Sequence, residues 1–225
     1  MITPAMLTGL STDHLVSIGG NHRLQPQAAD AFRAMQRRAR ADGLNLQPAS
    51  SFRDFARQQA IWNDKFNGKR PLLDADSQPL QVTGLTPGER CQAILRWSAL
   101  PGASRHHWGC DLDVYDPDLL PADTRLQLEP WEYQSAGCQF PLTRWLDTHM
   151  AAFCFYRPFN GGQGGVGAEP WHLSYRPLAQ QAESLLTPAV LREAWQDRDI
   201  AGRDWLESHL EAIFSRYIHT QESKE

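Results

Sequence analysis

The sequence predicts an α+β fold, a small and mostly antiparallel sheet flanked by helices, and three patterns point to it. Between Pro26 and about Asp42, Ala29, Phe32, Met35, Gln36 and Ala39 fall at helical spacing, with a cluster of arginines on the outside. From Cys110 to Tyr115, Cys110, Leu112 and Val114 alternate with Asp111, Asp113 and Tyr115, the period-two signature of a half-buried strand. From Leu178 onward the pattern is helical again, broken at Pro188 and Gly202.

The elements follow in chain order. The first helix stops at Gly43, and Leu44 to Phe52 alternates loosely as a short strand running into Arg53. A second helix is expected from Asp54 to Phe66, closed by Asn67 and Gly68. Lys69 to Gly88, with Pro71, Pro79 and Pro87, has loop composition and is placed to cover a site. A helix from Gly88 to Leu100 comes next, then the Cys110–Tyr115 strand and a helix around Pro141 to Ala152. The glycine-rich stretch GGQGGVG precedes a short strand, Pro170 to Tyr175, and lacks the lysine of a nucleotide cradle. The tail QESKE is expected to fray.

A chain of 225 residues suits one domain with its own core, here read as residues 1–225 with a catalytic core of about 44–175 and a helical extension of about 178–220. With 41% hydrophobic and 21% charged residues it lies far from the composition of disordered chains. A net charge of −4 supplies no basic field for nucleic acid or an anionic membrane. The N-terminus lacks a basic start followed by an apolar stretch, and no apolar run reaches membrane-spanning length, so a cytoplasmic location is expected. Cys91, Cys110, Cys138 and Cys154 are widely spaced with no CxxC pair and read as reduced, mostly buried thiols.

Chemistry concentrates in Ser104-Arg105-His106-His107-Trp108-Gly109-Cys110-Asp111-Leu112-Asp113 and in Glu169-Pro170-Trp171-His172. A catalytic zinc site takes three His or carboxylate ligands and leaves a fourth position for water. His106, Asp113 and His172 fill that requirement, although such a set also suits iron or manganese. Gly109 lets the chain turn between the His106 loop and the strand that carries Asp113. Glu169 and His172 differ in strand parity, but Pro170 favours an irregular entry that leaves Glu169 in the loop, free to take a proton from an activated water. His107 is the competing imidazole. Cys110 shares parity with Leu112 and Val114 and reads as core.

These residues resemble the VanY-type D-alanyl-D-alanine carboxypeptidases, in the wider group that includes the D-Ala-D-Ala dipeptidases and the zinc domain of hedgehog proteins. The pattern S-x-H-x-x-G-x-A-x-D is met by Ser104, His106, Gly109 and Asp113, and E-x-W-H by Glu169, Trp171 and His172. Asp111 replaces the usual alanine, so it either tunes or competes for the metal. The resemblance extends upstream to Ser51-Phe52-Arg53 with Gln58 five residues on, and spans roughly Leu44 to Tyr175. It implies that Arg53 contacts substrate near the scissile bond, with Gln58 and Ser104 as further substrate-binding candidates. Trp171, like Trp108, is suited both to line a substrate pocket and to pack behind the ligands.

The resemblance also implies a zinc-dependent carboxypeptidase whose partner is a peptidoglycan-derived stem peptide and whose product is a released D-alanine. A cytoplasmic enzyme that trimmed pentapeptide precursors would destroy what wall crosslinking consumes, so L,D-carboxypeptidase action on recycled murein tetrapeptides is the first expectation and D,D-carboxypeptidase action the second. A lytic murein endopeptidase and a non-catalytic zinc-containing binding module are the alternatives; the absence of a wall-binding repeat opposes the one, and the presence of Glu169 opposes the other.

Overall fold

The computed structural model describes residues 2–74, 77–161 and 165–219; the tail QESKE and part of the glycine-rich stretch fall outside them. Thr3 caps a one-turn helix, α1 (Pro4–Leu7), and a hairpin follows, β1 (Val16–Gly19) with β2 (His22–Leu24). α2 (Pro26–Ala41) starts on proline, which tolerates the first helical position, and buries Ala28, Ala29, Phe32, Met35 and Ala39.

β3 (Gln47–Ser50) is shorter than the expected Leu44–Phe52 strand. Leu44 N–H is spent on Ala39 O at the helix end, Asn45 N–H goes to the Asp116 carboxylate, and Pro48 brings no donor to the ladder. α3 (Phe55–Phe66) is capped by Asp54, whose carboxylate accepts Arg57 N–H at 2.7 Å. The proline-rich segment after it carries a two-residue hairpin, β4 (Leu72–Leu73) with β5 (Pro79–Leu80), too short to show a period.

α4 (Pro87–Leu95) opens with a reciprocal capping box between Thr86 and Glu89. It ends five residues before the expected Leu100, because Trp97 and Ser98 both donate to Ile94 O and Ala99 O turns to accept the Gln58 amide. A 3₁₀ turn (Arg105–Trp108) leads into β6 (Asp111–Tyr115), and α5 (Pro130–Tyr133) and α6 (Phe140–His149) follow. β7 (Phe155–Tyr156) and β8 (His172–Tyr175) complete the sheet. Trp171 sits in the turn ahead of β8, where His172 N–H bonds Glu169 O, so that strand starts two residues later than its sequence pattern.

The main sheet has the order β3-β6-β8-β7, all antiparallel, as the α+β reading requires. In register, Asp113 stands opposite His172 on one side and Ser50 on the other, and Asp111 opposite Ser174. Leu112, Val114 and Leu173 face the core, so the polar residues of β6 share the other face.

α7 (Arg176–Leu185), α8 (Pro188–Ala194) and α9 (Arg203–Ile213) break where Pro188 and Gly202 predict. Buried tryptophans tie the ends of this helical region to α3 and to the loop after α4: Trp62 Nε1 donates to Ala201 O at 2.9 Å and Trp195 Nε1 to Pro101 O at 2.7 Å. No helix among the described residues is long and apolar enough to cross a membrane. The four cysteines are free, but only Cys91 and Cys110 are buried; Cys154 is exposed at the left-handed end of a 3₁₀ turn.

Candidate metal centre and active-site cleft

The local backbone brings two histidines to one aspartate. Gly109 holds φ +69° after the 3₁₀ turn, and a Cβ there would lie 2.4 Å from Leu15, so this sharp entry into β6 needs glycine. The turn presents His106 over the sheet face that carries Asp113, while the β6–β8 register supplies His172. One ligand atom from each of His106, Asp113 and His172 lies within 4.8 Å of the others, and all three residues are buried.

The ring tautomers follow from their outer partners. His106 Nδ1 is 2.9 Å from Ser51 O, which can only accept, so Nε2 keeps its lone pair and faces Asp113 Oδ2 at 3.4 Å. His172 Nε2 is 3.0 Å from Asp111 Oδ1, so its Nδ1 carries the free pair and faces Asp113 Oδ1 at 3.3 Å. Asp113 Oδ1 is itself buried without a hydrogen-bond partner among the described residues. An orphaned buried carboxylate oxygen facing two imidazole lone pairs is a donor set that suits a divalent cation.

The electrostatics agree. Burial pushes the Asp113 carboxyl up, yet the two imidazoles outweigh it and hold it well below the usual carboxylate range. Burial pulls His172 down, but Asp111, Asp113 and Glu169 raise it well above its ordinary value. Negative charge thus converges where a cation would stand.

Asp111 is fully buried and turned away from that gap. Its Oδ1 also accepts Arg105 Nε at 2.9 Å, and its Oδ2 accepts the Ser174 hydroxyl at 3.1 Å. Burial raises its carboxyl, but Arg105 and His172 bring it down to about 2. Arg105 also donates to Glu183 on α7 and to the Tyr156 hydroxyl, so the support reaches across three elements.

His107, the competing imidazole, is fully buried with both nitrogens engaged: Nδ1 donates to Arg53 O at 2.5 Å, and Nε2 accepts Gly102 N–H at 3.1 Å. Burial drives its pKa down to about 3. Its role in the structure is to fix the backbone of Arg53.

A cleft of about 430 Å³ opens onto His106, Asp113 and His172. Glu169, in the loop before β8, lines it and sets Oε2 at 3.2 Å from His172 Nδ1. Arg53, Ser104 and Trp171 line it as well, Trp171 backed by Tyr133 at 5.5 Å between ring centroids. Gln58 does not reach the wall. It is fully buried behind Arg53, accepting Nη1 at 2.8 Å and donating to Ala99 O. Trp108 is buried beneath Arg105, away from the cleft.

Several cleft residues carry no sequence signal. Phe159 meets His172 edge-on at 5.0 Å, Lys65 and Arg70 add cations, and Tyr217 and Ile218 arrive from the π-helical turn Phe214–Ile218 that follows α9. Only the fold brings such distant positions together.

Comparison with known proteins matches residues 21–178 to the family model "VanY: D-alanyl-D-alanine carboxypeptidase", a span that begins upstream of Leu44 and ends before α8. The chain is 50% identical over 121 residues to an uncharacterised Haemophilus influenzae protein, covering 53% of this chain and 92% of that one. Among solved structures it shares the fold of a vancomycin-resistance D,D-pentapeptidase VanY variant in complex with Zn(II), with TM-score 0.51 and 21% identity over 85% of this chain and 88% of the other. It shares it likewise with the LD-carboxypeptidase LdcB, with TM-score 0.52 and 19% identity over 84% and 80% of the two chains. Because the family match takes in more than half of the sequence and encloses the His106, Asp113 and His172 cluster, the chain belongs to the VanY family of D-alanyl-D-alanine carboxypeptidases, which are peptidases.

Proposed function

We propose that the protein is a zinc carboxypeptidase that removes the C-terminal D-alanine from peptidoglycan stem peptides, with L,D-carboxypeptidase action on recycled murein tetrapeptides as its preferred reaction. The observation that carries this reading is the placement of Glu169 beside the ligand cluster and of Arg53 on the same cleft.

In this reading His106 Nε2, His172 Nδ1 and Asp113 hold the ion. A zinc ion there would supply Lewis acidity, bringing a water toward a pKa of about 7 and polarising the scissile carbonyl. Glu169, placed in the loop ahead of β8 and beside the three clustered side chains, takes the proton of the attacking water and returns it to the amine that leaves. Arg53 grips the terminal carboxylate. Two of its five N–H groups are spent on Gln58 and Ser50, which leaves donors for a paired contact. Gln58 positions that guanidinium from behind, and Ser104 and Trp171 shape the cleft around the scissile bond.

The choice of bond rests on the expected location: inside a cell, recycled tetrapeptides are a harmless substrate, whereas pentapeptide precursors are not. The D,D reading has the family description and the pentapeptidase relative on its side. Incubation with defined tetrapeptide and pentapeptide, followed by mass spectrometry, separates them: loss of one alanine from the tetrapeptide supports L,D action, and an untouched tetrapeptide beside a trimmed pentapeptide overturns it.

A further inference from the structure

The cleft holds more positive charge than one terminal carboxylate calls for. α3 lies along it, with Arg53 just ahead of its first turn and Lys65 in its last, and both side chains line the cavity together with Arg70. Neither Arg53 nor Lys65 has a carboxylate within ion-pair distance among the described residues; Lys65 Nζ donates to the Ser98 hydroxyl at 2.7 Å, and Arg70 leans on Asp64 at 3.5 Å.

The nearby acids do not reach Lys65. Glu129 lines the cleft outside ion-pair distance, its backbone carbonyl accepting Glu132 N–H at 3.0 Å, and Glu169 faces His172. Burial, with Arg70 and Arg53 adding to it, brings the Lys65 ammonium down to about 8. A largely enclosed cation satisfied only by a hydroxyl is costly to keep, and such groups in clefts are commonly paired by a ligand.

We propose that Lys65, with Ser98 and Arg70 beside it, forms a second anion subsite, so that the cleft selects peptides bearing a carboxylate additional to the terminal one. The inference rests on the carboxypeptidase reading above. Because the departing alanine offers only a methyl side chain, the second carboxylate belongs to a residue before the scissile bond.

The test uses two synthetic peptides ending in D-alanine, identical except that the carboxyls preceding the scissile bond are free in one and amidated in the other. For wild type, kcat/KM should favour the free acid by on the order of tenfold, the worth of one charge-assisted contact. K65M and K65Q should lose that difference, and K65R should keep it. Equal kcat/KM for the two peptides with wild type, or a preference that persists in either neutral variant, overturns the subsite while leaving the carboxypeptidase intact. Cleavage of neither peptide by wild type removes both. The wild-type comparison is decisive even if a variant fails to fold.

Discussion

Asp111 Oδ1 lies 3.0 Å from His172 Nε2, so this aspartate supports a candidate metal-binding histidine from behind and takes no place among the three clustered side chains. A carboxylate behind a ligating imidazole fixes its tautomer and raises its basicity. Replacing Asp111 by Asn should therefore weaken zinc affinity by about 10- to 100-fold. Competition against a chromophoric chelator measures it without any turnover, and an unchanged affinity would show that the contact orients nothing.

Glu169→Gln should separate proton transfer from metal binding. The amide cannot accept the proton, so kcat should fall about 10²- to 10⁴-fold. Zinc content by elemental analysis should stay the same; loss of zinc together with activity would reassign Glu169 as a ligand.

Gly9 is a structural prediction at a distance from the chemistry. Its φ is +75°, and a Cβ would fall 2.4 Å from His107 Nδ1 and 2.9 Å from Phe55 N. Gly9→Ala should cost at least about 1–2 kcal/mol from the left-handed backbone alone. The denaturant midpoint should drop at constant slope, and an unchanged midpoint would mean that the α1 turn relaxes freely.

The Lys65 subsite also has a pH signature. Its ammonium sits among Arg53 and Arg70, which lower its pKa, and Glu129 and Glu169, which raise it, with burial the largest influence; the outcome is about 8. The charge is present below that value and lost above it. The preference for free over amidated peptide should therefore shrink as pH rises through 8, while a ratio constant from pH 6.5 to 9.5 would exclude Lys65 as its source.

What the sequence made legible was what is local. The alternation of Cys110 to Tyr115 revealed β6 because each residue reports its own side of the pleat, and Pro170 foretold that Glu169 would lie outside β8. The pairing of Asp113 with His172 depends on strands some sixty residues apart, which no period announces. β4, β5 and β7 are two residues each, below the length at which alternation exists. The motif spacing drew attention to Gln58, but whether a side chain faces a cleft or stands behind its neighbour is decided by the turn of α3 against Ala99. Lys65 resembled any solvated lysine at a helix end.

The adjacent pair His106 and His107 holds a warning for mutational scanning. His107 spends both nitrogens on the Arg53 carbonyl and the Gly102 amide, so alanine at 107 would unseat an arginine of the cleft and silence the protein as surely as alanine at 106. Dead variants alone cannot tell a scaffold imidazole from a chelating one. A residue-by-residue titration of bound metal can, because only position 106 should lower it directly.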